Sequence, residues 1–63
     1  MSDTETIHPA ALQSGINAVR GWRARRLANG KAADRVEATR YAKERWPSMS
    51  AAEIKAILDG VFL

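Results

Sequence analysis

Cysteine is absent from these 63 residues, which removes disulfides and thiolate metal ligands together. Histidine occurs once, as His8, with no second imidazole and no tight carboxylate cluster beside it. A structural zinc site is therefore not expected, because such sites need about four convergent ligands. No apolar run approaches the roughly 20 residues of a membrane span. The opening residues carry Asp3 and Glu5 and no basic group, the opposite of a secretory n-region, so the reading is cytoplasmic. Nowhere do β-branched or aromatic residues alternate with polar ones over a strand's length. Neither an internal repeat nor a low-complexity tract is present.

Catalytic patterns are missing as well. His8 precedes Pro9 at the start of the first helical pattern and reads as a linker or capping residue. Ser14, Ser48 and Ser50 have no histidine or lysine placed to activate them, and Ser50 is better explained as a helix cap. The carboxylates Asp3, Glu5, Asp34, Glu37, Glu44, Glu53 and Asp59 are scattered, and none forms a spaced pair suited to acid–base work. Phosphate-binding glycine loops and metal motifs do not occur. These residues predict a protein that is not an enzyme, has no catalytic site, cofactor or metal, and takes no small-molecule substrate.

What is present fits an all-α, small three-helix bundle. Residues 1–8 read as a flexible, disordered N-terminal lead-in with little apolar anchor, and residues 9–63 as a single domain. The first helix is expected over roughly 9–29. Proline suits the first helical position, where its missing N–H costs nothing. Leu12, Ile16, Val19 and Leu27 recur at near-helical spacing, flanked by Ala11, Gly15, Ala18 and Trp22. Asn29-Gly30 supplies the left-handed residue that closes many helices. Gly15 and Gly21 each cost about 1 kcal/mol against alanine in a helix, so a kink or a close helix contact is expected there.

The second helix is expected over roughly 32–46, ended by Pro47, which pushes the residue before it out of the α region. Its inward face would be Ala32, Val36, Thr39, Ala42 and Trp46. Glu37–Arg40, Glu37–Tyr41 and Arg40–Glu44 are spaced for contact outside. The third helix, roughly 51–60, carries the sharpest signal. Ser50-Ala51-Ala52-Glu53 has capping-box spacing, with Met49 and Ile54 placed for a hydrophobic staple. Ile54, Ile57, Leu58 and Val61 follow the i, i+3, i+4, i+7 pattern, and Gly60 reads as the stop.

A chain this short buries only about 60% of the surface its unfolded form exposes. The core is thin, and a homodimer is one way to complete it.

Charge is the one strongly uneven property. The net charge is +3, yet residues 20–45 hold nine of the ten Lys and Arg against only Asp34, Glu37 and Glu44. A block of this sign favours anionic partners. The dense part is Arg20, Trp22, Arg23, Arg25, Arg26 and Lys31, where guanidinium groups can bind phosphate or carboxylate bidentately and stack on rings. On a wheel of about 100° per residue, Arg23 falls inside the stripe of Leu12, Ile16 and Val19, and Arg26 at its edge. Guanidinium groups there must reach a surface, because burying an unpaired charge is prohibitive. Either the helix bends near Gly21, or its last two turns run beyond the core.

The bland explanation is also physical: cations gather at helix C-termini because they complement the dipole. A tryptophan such as Trp22 is more often core than stacking platform. The turn through Gly30 also allows a helix-turn-helix reading in which Arg35, Arg40, Lys43 and Arg45 face nucleic acid. Against it stand the length of the first helix, the bulk of Arg26 near the turn, and the acids flanking Arg40. Two functional readings follow. One is a nucleic-acid-binding accessory or regulatory protein working through Arg20, Trp22, Arg23, Arg25, Arg26, Lys31, Arg35, Arg40 and Lys43. The other is an inhibitor or adaptor that docks the same Trp/Arg surface on an acidic protein. Membrane-surface attachment fits less well, because the arginines bunch at one end of the helix.

Overall fold

A computed structural model describes residues 9–62, and the expected lead-in over residues 1–8 lies outside them. Three helices run in chain order: α1 (Pro9–Ala28), α2 (Arg35–Arg45) and α3 (Ala51–Val61). The all-α, three-helix architecture expected from the sequence is what the chain adopts. There is no strand among the described residues.

Each helix boundary has a local cause. Proline occupies the first position of α1. At the other end Gly30 has φ +70°, and two hydrogen bonds close the turn. The Lys31 N–H donates to the Arg26 carbonyl at 2.9 Å and the Gly30 N–H to the Leu27 carbonyl at 3.1 Å. This is a Schellman closure, which satisfies carbonyls that the helix leaves free.

The second helix starts later than the expected residue 32. Asp34 is the N-cap, its carboxylate accepting the Glu37 N–H at 3.0 Å. Lys31–Ala33 are used to leave the α1 closure and reach that cap. Trp46 is the C-cap and lies outside α2, its N–H donating to Ala42 at 2.8 Å. The third helix has the full reciprocal box: Ser50 Oγ accepts from the Glu53 N–H at 3.1 Å and Glu53 Oε1 from the Ser50 N–H at 2.9 Å.

The core consists of Ile16 and Val19 from α1, Ala38 and Ala42 from α2, and Ile54, Ile57 and Leu58 from α3. Leu12, Trp22, Tyr41, Trp46, Met49, Val61 and Phe62 pack around it. α1 packs mainly on α3 and touches α2 least. The α1–α3 contact is unusually close, for a reason built from two glycines. A Cβ added at Gly15 would lie 2.5 Å from Ile57 Cδ1, and one added at Gly60 would lie 2.5 Å from Ile16 Cδ1. Each helix thus offers a glycine to the other's isoleucine.

Three expectations need correction. Gly60 does not stop α3, which continues to Val61; the missing side chain there makes room for Ile16. The inward face of α2 is Ala38 and Ala42, while Val36 is 70% exposed and Ala32 is exposed. The expected face was phased partly on Ala32 and Trp46, neither of which is helical. Leu27 does not extend the buried stripe of α1, being 54% exposed. Residues 23–25 and 27–28 are exposed, so the last two turns of α1 stand clear of the core.

Candidate nucleic-acid interface

The basic segment divides into side chains that are used inside the fold and side chains that are not. Arg26 is the most heavily used. Its Nε donates to the Ala32 carbonyl at 2.6 Å, its Nη2 lies 4.0 Å from Glu37 Oε1, and its guanidinium stands 5.4 Å from the Trp22 ring centroid. It therefore spans the α1–α2 loop and satisfies a carbonyl of that loop. The position near the edge of the apolar stripe is explained: the stem covers apolar surface while the head finds polar partners.

Trp22 is part of an aromatic ladder. Its ring stacks on Tyr41 with centroids 5.0 Å apart and planes 19° apart, and Tyr41 meets Trp46 edge-on at 6.1 Å. Both distances lie in the range where aromatic pairs attract beyond simple burial. Arginines close the ladder at both ends, Arg26 against Trp22 and Arg45 at 5.7 Å from Trp46. The Trp22 ring joins α1 to α2, which restricts its availability to an external base. Neither Tyr41 nor Trp46 was among the expected site residues, although the two are spaced for one flank of a helix and its cap.

Arg35 is also engaged. Its Nη2 donates to Asp59 Oδ1 at 2.6 Å, while Lys55 Nζ reaches Asp59 Oδ2 at 3.0 Å. The hydrogen bond from Arg35, then that from Lys55, lowers the Asp59 pKa below its ordinary value of 3.8. This pairing ties the start of α2 to the end of α3.

The remaining basic residues of the central block stand differently. Arg20, Arg25, Lys31, Arg40 and Lys43 are exposed and make no ion pair with any described residue. The outside pairs expected for Arg40 with Glu37 and Glu44 do not form, since Glu37 turns to Arg26 instead. Arg23 is exposed with its guanidinium 5.3 Å from the Phe62 ring centroid, which covers the C-terminal end of α3. This resolves its place inside the stripe: beyond Val19 the stripe faces a ring edge and solvent, not the core.

The structure therefore gathers the exposed cations on three consecutive pieces: the last turns of α1, the loop, and the outer face of α2. On α2, Val36, Arg40 and Lys43 follow i, i+4, i+7 and share one exposed face. Among the described residues no group of three or more His, Cys, Asp or Glu could hold a metal ion, and no helix is long and apolar enough to cross a membrane. No protein-family model matches this chain, no curated protein is significantly similar to it, and no solved structure matches it.

Proposed function

We propose that this chain is a small, non-enzymatic, cytoplasmic nucleic-acid-binding accessory or regulatory protein. Its contacts would be mainly to phosphate, from Arg20, Arg23, Arg25, Lys31, Arg40 and Lys43. One observation carries this reading: these cations remain without a carboxylate partner after the fold has used Arg26 and Arg35 internally. Such groups attract a polyanion through its field and through release of condensed counterions. Arg26 and Trp22 then act as supports that hold the loop and α1 in place, and Arg35 as a brace to α3.

The test is titration of the purified chain against duplex and single-stranded DNA and RNA at several salt concentrations. Binding that weakens linearly on a log–log plot is expected, with a slope of about −0.9 for each duplex phosphate neutralised. Absence of binding to all of them at low salt sinks the reading.

A second reading has its own observation. Leu27 and Val36 are large apolar residues exposed within the basic surface, and phosphate contacts give them no role. An acidic protein surface with an apolar centre would use both. Loss of a protein partner in a Leu27→Ser/Val36→Ser variant, with nucleic-acid binding absent in the parent, would favour it.

A further inference from the structure

Away from that basic surface, α2 and α3 enclose a groove of about 290 Å³. Its floor is apolar, formed by the sides of Ile54 and Leu58 from the core, with Ala51 at one end. Its border is cationic, with Arg35 and Lys43 on α2 and Lys55 on α3. Asp59 is the carboxylate that answers these charges, and it is already occupied by Arg35 and Lys55. Lys43 has no ion-pair partner among the described residues.

The end of the groove adds to the same sign. Ala51 is the first residue of α3, and the first N–H groups of a helix have no intrahelical acceptor. Ser50 satisfies only the Glu53 N–H, so the start of α3 keeps its partial positive charge at the groove end.

We propose that this groove binds an acidic, leucine-bearing peptide segment of a partner protein. An aliphatic side chain would cover Ile54 and Leu58, and flanking carboxylates would meet Lys43, Lys55 and the first turn of α3. The combination decides between occupants. A nucleic acid satisfies the cations but has no aliphatic side chain for the floor. An uncharged apolar ligand would cover the floor and leave Lys43 unanswered. A short amphipathic segment laid in a groove meets both demands. This inference does not depend on the nucleic-acid reading, and the groove and the basic surface are separable by mutation.

The experiment uses the full chain and a fluorescein-labelled helical peptide with leucines on one face and glutamates flanking them. Fluorescence anisotropy should show saturable binding, and amide shift changes should centre on Lys43, Ala51, Ile54 and Lys55. Ala51→Glu places a carboxylate at the groove end, where the helix dipole favours it and the fold is kept. That variant should weaken the peptide by about tenfold while leaving any affinity for duplex DNA within about twofold. Lys43→Ala should weaken it too, mainly through slower association. The proposal is overturned if the peptide does not saturate, or if Ala51→Glu binds it equally well. Equal binding of a peptide with its leucines changed to serine also overturns it. Sedimentation showing a dimer that Ala51→Glu dissociates would assign the groove to a second copy instead.

Discussion

Gly15 and Gly21 sit on the same helix, look alike in the sequence, and should respond to alanine in opposite directions. At Gly21 the nearest atom to an added Cβ is the mobile end of Arg25, 3.5 Å away. Gly21→Ala should therefore recover helix propensity and stabilise the fold by about 0.5–1 kcal/mol. At Gly15 the added methyl meets Ile57, which is fully buried and cannot swing aside. Overpacking of this kind costs about 1–3 kcal/mol, which outweighs the propensity gain. Urea denaturation of the two variants would separate them, and Gly15→Ala/Ile57→Val should regain much of the loss by removing the clashing Cδ1. Additivity of the two substitutions would show that the close approach is not what Gly15 is for. A residue-level reading of the sequence foresaw a kink or a contact at Gly15 and Gly21 but could not choose, because the choice belongs to the facing helix. Asp59 illustrates the same point with charge. Its partners Arg35 and Lys55 lower its pKa, so the folded value lies below the unfolded one. The resulting contribution is present above the unfolded value and disappears as pH falls through the folded value. Acid unfolding of the parent should thus steepen below pH 3.8. Asp59→Asn should remove that component while leaving the neutral-pH dependence unchanged; an identical acid limb in both proteins would refute the assignment.

Helix ends account for most of what the sequence made legible at the next scale. The S-x-x-E spacing, the Asn-Gly pair and Pro47 all act on their own neighbours, so chain order is enough to read them. Ser50→Ala should cost about 1 kcal/mol by freeing the Glu53 N–H. Gly30→Ala should cost about 1–2 kcal/mol, since φ +70° is unfavourable for a residue with a Cβ. Both are measurable as lowered thermal midpoints, and unchanged midpoints would mean that these ends fray in solution. Element faces were harder to read than element ends. For α2, Ala38 and Ala42 are buried although Val36 is more apolar than either, because close approach between helices rewards small side chains over hydrophobic ones. Gly60 was read as an ending for a related reason: glycine near a helix end signals termination only when nothing across the interface needs its space.

Across the whole molecule, the uneven charge was plain from composition, but its division into structural and free cations was not. Arg26 and Arg35 belong to the same block as Arg25 and Lys31, and only tertiary partners distinguish them. That division predicts how variants should affect nucleic-acid binding. Arg25→Ala and Lys31→Ala should each make the salt slope shallower by up to about 0.9, as expected for a lost phosphate contact. Arg35→Ala should leave the slope unchanged and instead lower the unfolding midpoint, because it releases the brace between α2 and α3. Salt-dependent titrations paired with melting curves would check this, and a shallower slope in Arg35→Ala would overturn the division. The aromatic ladder of Trp22, Tyr41 and Trp46 was legible only as three separate rings, since stacking needs α1 and α2 to be placed first.

The paired glycines of α1 and α3 bear on how this protein can change over time. Each isoleucine fills the place of a side chain that the opposite helix does not have, so neither partner is free to mutate alone. Sequences descended from a common ancestor with this chain should covary at these positions: a methyl gained at 15 should accompany a carbon lost at 57, and likewise for 60 and 16. The two pairs also act as a vernier. Sliding α1 along α3 by one residue would take both isoleucines out of their notches at once, so two missing side chains set the alignment of the bundle.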